Sequence, residues 1–185
     1  MPARLLFAAS LASCLAFAMP AQAADELKPV PDLDMDRYAG VWHEIARLPN
    51  RFEDRCVSDI TATYTPREDG RLRVVNACRE DDGRINAVEG EARQAGELPS
   101  QLEVRFAPKW LSFLPFVWAD YWVIALDVDY QWALVGEPDR KYLWILSRQP
   151  QLDAEVFEAI QDRARDLGYD LADLVVVNPP RPAES

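Results

Sequence analysis

Between Gly40 and Gln149 turn signals cut the sequence into eight short segments, and several of them alternate apolar with polar residues. The first is "GVWHEIARL" (40–48), which ends at a turn or loop through Pro49 and Asn50. Next, "VSDITATYTP" (57–66), the turn "REDG" and "RLRVVNACRE" (71–80) read together as a hairpin. After the turn "DDG" comes "RINAVEGEARQA" (84–95). The loop "GELPS" then leads to "QLEVRFAP" (101–108), in which Leu102, Val104 and Phe106 alternate. "DYWVIALDVD" (120–129), "QWALVGEP" (131–138) and "KYLWILSRQ" (141–149) complete the set. Eight strands at this spacing with short connections predict a sandwich or a barrel.

Only one segment has a convincing helical period. Val156, Phe157, Ile160, Ala164 and Leu167 share a face, Asp153 is placed to cap the start, and Gly168 to close the end. Leu152 and Phe157 fit a hydrophobic staple. Beyond the helix, "DLVVV" is a candidate short strand, and the Pro-rich residues 179–185 read as a disordered tail.

The first 23 residues have one cation, Arg4, then an apolar run and Ala21-x-Ala23, the pattern of a secretory signal peptide. A competing reading is "LASC" (11–14), a lipoprotein-like box that would make Cys14 a lipidated N-terminus. The apolar run before Cys14 is short for that, and the Ala-x-Ala site would go unused. Residues 24–178 then form one domain. The chain carries a net charge of −11, and losing Arg4 makes it more acidic still, which disfavours nucleic acid or an anionic membrane as a charge-driven partner. Two cysteines remain after the leader, Cys56 and Cys78, near the start of one hairpin strand and the end of the other. In an oxidising compartment they suit a cross-strand disulfide, with two buried free thiols as the alternative.

"YAGVWHEIARLPNRFE" has a G-x-W signature at the start of the first strand, and "DYWVIALDVDYQWALVGEPDRKYLWILSRQP" ends in an arginine after the last. Together these resemble the lipocalins, in particular the bacterial and apolipoprotein D-like subgroup, from about Leu33 to Leu174. His43 stands where that subgroup usually has Tyr. The resemblance implies an all-β fold: an eight-stranded antiparallel up-and-down barrel, closed at one end, with the C-terminal α-helix packed outside. It also implies structural roles for Gly40, Trp42 and Arg148, with the indole plugging the closed end and the guanidinium lying across it.

Strand parity and the resemblance together nominate cavity residues. Tyr142, Trp144 and Leu146 share one face of the last strand, and the family places this Trp in the ligand cavity. On "DYWVIALD" the preferred parity turns Tyr121, Val123 and Ala125 inward, although a shift of one residue would choose Trp122 instead. Glu44 shares the inward parity of Trp42, so it needs a partner such as an arginine or a water, or a bulge that turns it out. The segment "APKWLSFLPFVW" (107–118), interrupted by Pro108 and Pro115, joins the fifth and sixth strands at a rim of the barrel. Its Lys109, Trp110, Phe113, Phe116 and Trp118 are candidates for a lid, a homodimer contact or a tip touching a membrane interface, or they fold back over the barrel's own core. Lys109 or Arg51 is placed to meet an anionic head group.

His43 is the only histidine, and on the strand it faces outward. No nucleophile triad surrounds it and no cluster has metal-ligand spacing, so neither a cofactor nor a metal is expected. The resemblance implies a binding protein that carries a long-chain fatty acid or a lysophospholipid in an exported, periplasmic or outer-membrane-associated setting. The alternatives are a docking protein acting through residues 110–118 and a lipocalin-fold isomerase using Glu44 or a tyrosine.

Overall fold

The computed structural model describes residues 26–182; the leader, Cys14 and residues 183–185 lie outside the described residues, as does the side chain of Lys109. Eight antiparallel strands follow in order: β1 (Gly40–Arg47), β2 (Cys56–Pro66), β3 (Leu72–Glu80), β4 (Ile85–Gln94), β5 (Gln101–Arg105), β6 (Ala119–Leu126), β7 (Trp132–Gly136) and β8 (Leu143–Ser147). Each pairs with the next, and β1 pairs with both β2 and β8, which closes the barrel. The expected "DLVVV" strand is β9 (Val175–Val176), which extends the sheet from the second half of β1.

Up-and-down connectivity sorts the connections between two ends. Segments 67–71, 95–100 and 127–131 lie at one end, and 48–55, 81–84, 106–118 and 137–142 at the other. The first end is also plugged by a one-turn helix, α1 (Met35–Tyr38), whose Asp34 carboxylate accepts from the amides of Asp36 and Arg37 at 3.0 and 3.1 Å. Four residues are too few to show a helical period, so this element had no sequence signal.

Alternation along the strands builds two cores. Inside the barrel lie Trp42, Tyr64, Val74, Leu102, Tyr121 and Val123. On the outside, α2 (Ala154–Asp166) buries Phe157, Ile160 and Ala164 against Ile45, Ile124, Leu134 and Leu143. Two bulges adjust the alternation. Register shifts between Glu44 and Ala46 and between Val123 and Ala125 send the consecutive pairs Ile45/Ala46 and Ile124/Ala125 to the outer core. Ala125 therefore does not follow Tyr121 and Val123 inward, as simple parity predicts.

One expectation at the helix needs correction. Asp153 occupies the N-cap position, but its carboxylate makes no capping bond and instead pairs with Arg181 at 2.8 Å. The Arg181 amide donates to the Leu152 carbonyl at 2.8 Å, and the Ala154 amide donates to the Arg181 carbonyl at 3.1 Å. These bonds join Arg181, in the segment read as a tail, to the start of α2. Cys56 and Cys78 form the disulfide, with Cα atoms 5.5 Å apart.

Candidate ligand cavity

The closed end is built by Gly40, Trp42 and Arg148. Gly40 has φ +98°, and a Cβ on it would stand 3.3 Å from Arg148 Nη1, so both backbone and space call for glycine. The Arg148 guanidinium lies 3.8 Å from the Trp42 ring centroid and donates to the carbonyls of Arg37, Tyr38, Tyr130 and Val41. The indole Nε1 of Trp42 donates to the Tyr38 carbonyl at 2.8 Å. This end is sealed by a cation–π contact whose polar atoms all find partners.

Above the seal lies a floor of three buried tyrosines. Tyr64 Oη donates to Tyr121 Oη at 2.8 Å, and Tyr121 and Tyr38 share a hydrogen bond at 2.7 Å. Burial pushes all three phenols well above the ordinary tyrosine range. Tyr121 and Val123 face inward here, as expected. Tyr38 and Tyr64 were not singled out from the sequence. A signal existed for Tyr64, which shares its face of β2 with Ala62 opposite a face of threonines.

Two ladders climb one wall from this floor towards the open end. The first is ionic. Because of the bulge at Ile45, Glu44 and Arg47 share the inner face, and Arg47 Nη1 donates to Glu44 Oε1 at 2.8 Å. Arg47 Nε stands 2.9 Å from Glu53 Oε2 on the first rim loop, and Asn50 Nδ2 donates to the same oxygen at 3.0 Å. Burial, with the Glu53 carboxylate nearby, pushes the Glu44 carboxyl up to about 8 against the pull of Arg47. The partner that the sequence left open for Glu44 is thus Arg47, three residues along the same strand.

The second ladder is aromatic. On β8, Trp144 sits opposite Arg47 and Leu146 opposite Glu44, so both point inward. Tyr142 stacks on Trp144 with centroids 5.9 Å apart, and Phe52 meets Tyr142 at 5.5 Å at the rim. Arg51 lies 5.7 Å from the Phe52 ring. Across the cavity, inward-facing Val88 of β4 is 48 % exposed, so the upper interior is open to solvent. Gly90 on the same face leaves space for the Phe106 ring, which a Cβ there would meet at 2.7 Å.

The rim segment 106–118 forms two short 3-10 turns, Lys109–Leu111 and Pro115–Val117. Trp110, Phe113 and Phe116 are 72, 76 and 79 % exposed, so this loop does not fold back over the core. Trp118 is placed differently. Its ring lies on the outer wall, 3.9 Å from the Arg93 guanidinium and 5.2 Å from that of Arg105, with Nε1 donating to the Ser112 carbonyl at 2.9 Å. Arg105 is itself held by Glu91 at 2.6 Å, so Trp118 anchors the loop whose other aromatics project. Among the described residues no group of His, Cys, Asp and Glu is arranged to hold a metal.

A closed eight-stranded barrel sealed at one end defines a class of proteins whose interior is either filled by side chains or holds one small ligand. The profile of the lipocalin-like domain family matches residues 33–179, and the chain belongs to the lipocalins, a family that binds small hydrophobic ligands. The outer membrane lipoprotein Blc of Escherichia coli K12 is 42 % identical over 152 residues, covering 82 % of each chain. Temperature-induced lipocalin-1 of Arabidopsis thaliana is 40 % identical over 152 residues, covering 80 % of this chain and 81 % of the relative. Mouse apolipoprotein D is 33 % identical over 149 residues, covering 76 % and 74 %. Among solved structures, insecticyanin from the tobacco hornworm Manduca sexta superposes with a TM-score of 0.63 at 20 % identity, covering 86 % of this chain and 91 % of that one, a likeness of fold.

Proposed function

We propose that the protein binds and carries a long-chain fatty acid or a lysophospholipid, with the acyl chain inside the barrel and the head group at the open rim, in lipid handling at the cell envelope. The observation that carries this reading is the inner face itself, which runs from Val74 and Val123 up to Trp144 and Tyr142 and opens to solvent at one end. Burying about fourteen methylenes is worth about 0.8 kcal/mol each. Set against association costs of about 4–15 kcal/mol, that favours micromolar affinity. Arg47 and Arg51 are cations near the rim for an anionic head, and Lys109 on the 106–118 segment remains a candidate. Glu44 is engaged by Arg47 and the floor phenols by one another, which favours binding over isomerase chemistry. The disulfide supports an exported protein. The name of the Blc relative makes Cys14 the position at which a lipid anchor would be sought, beside cleavage after Ala23.

The exposed Trp110, Phe113 and Phe116 favour a second, compatible role, in which the rim loop rests in a membrane interface so that ligand passes between bilayer and barrel. A homodimer through the same loop is the competing occupant. Fluorescent fatty-acid binding tests the main reading. Delipidated protein should shield the probe from water and release it to unlabelled lysophospholipid, and a probe that stays quenched by solvent overturns the reading.

A further inference from the structure

The tyrosine floor holds more hydrogen-bond capacity than it uses. Three phenols supply three protons, but only two hydrogen bonds link them, and among the described residues no other group accepts from these hydroxyls. Since Tyr64 donates to Tyr121, the spare proton belongs to Tyr121 or Tyr38. Tyr38 is fully buried against Trp42, whereas Tyr121 keeps 8 % exposure and shares the inner face with Val123. The arrangement that leaves the spare donor towards the cavity has Tyr121 accepting from both neighbours and donating upward. One step higher, Asn76 lies on the inner face, opposite Ala62 on β2 and next in line to the Val74–Tyr64 pair. Its Oδ1 is buried without a partner. The lower interior thus presents an unmatched donor and an unmatched acceptor, beside apolar side chains and the self-paired Glu44 and Arg47.

A plain acyl chain satisfies neither, and leaving buried polar groups unpaired is costly. A carboxylate is a poor occupant, because the tyrosines and Asn76 carry no charge to balance it and the inward Arg47 is already held between Glu44 and Glu53, so a fatty acid enters tail first. The geometry points to a polar subsite at the bottom of the barrel that recognises an oxygen, in particular a hydroxyl, at the far end of an otherwise apolar ligand. This inference rests on the carrier reading and narrows it to tail-oxygenated lipids.

The test compares omega-hydroxypalmitic acid with palmitic acid by titration calorimetry, on the delipidated protein and on the Tyr121→Phe and Asn76→Ala variants. Because both ligands are measured on the same protein, a loss of stability in a variant cancels from their ratio. The wild type should prefer the hydroxylated acid by about tenfold, the effect of one hydrogen bond. Tyr121→Phe should bring the two affinities close together, and Asn76→Ala should reduce the preference. Equal affinities in the wild type, or a preference unchanged in both variants, overturn the inference and leave bound water as the partner of these groups, with the carrier reading intact. Binding of neither acid overturns the carrier reading and this inference with it.

Discussion

The two ends of the barrel are both rich in aromatic residues but use them in opposite ways. At the closed end Trp42 and Tyr38 are fully buried, and Arg148 stitches them to four backbone carbonyls. At the open end Trp110, Phe113 and Phe116 stand largely in solvent, on turns without comparable anchorage beyond Trp118. The difference lies in the polar partners. An indole held by a guanidinium and a carbonyl contributes to folding, whereas aromatics raised on Pro-broken turns are available for contact. The cavity between combines both, with a hydrogen-bonded floor and a solvent-reached upper wall.

The largest effect should come from breaking the sealed end. Trp42→Ala is expected to lower unfolding stability by about 3–5 kcal/mol in a denaturant titration, the range for emptying a buried aromatic site. Next comes Glu44, whose carboxyl holds its proton up to about 8 when folded and loses it near the ordinary 4.5 when unfolded. Between those values the folded state binds more protons, so stability falls as pH rises through the window and the cost is complete above it. The loss should be on the order of a few kcal/mol. Thermal unfolding of Glu44→Gln should be flatter across this range, and an equally steep decline would assign the pH dependence to other groups.

Trp144→Ala sharpens the comparison from the cavity side. Fatty-acid affinity should fall about tenfold, equivalent to about 1.4 kcal/mol, with a smaller effect on unfolding than Trp42→Ala. The smallest stability effect belongs to the rim. Replacing Trp110, Phe113 and Phe116 together by Ser should shift unfolding by no more than about 0.5 kcal/mol. The same variant should lose sedimentation with phospholipid vesicles if the loop is an interfacial tip, and a variant that still sediments contradicts that role.

Much of this contrast was legible in the sequence, because alternation and turn residues act locally. The eight strands, the helix and the loop position of 107–118 follow from period and spacing, whereas the helix's place outside the barrel and the inward placing of Trp144 came with the resemblance, and strand parity alone left Tyr121 and Trp122 as alternatives. The bulges were not legible. Glu44 and Arg47, three apart, should face opposite sides of a regular strand, and only the irregularity at Ile45 brings them together. The same cause misplaced Ala125. The tyrosine floor assembles from α1, β2 and β6, which are far apart in sequence, so no local pattern predicts that its hydroxyls meet. Trp118 looked equivalent to its loop neighbours because the arginines that hold it lie on β4 and β5.

Native mass spectrometry of the protein secreted to a periplasm and purified without detergent tests the central claim most directly. The carrier account predicts a population heavier than the polypeptide, whose extra mass extracts into organic solvent as a lipid. A bare mass that stays bare when fatty acids and lysophospholipids are offered would contradict it and leave the exposed aromatic rim as the functional surface.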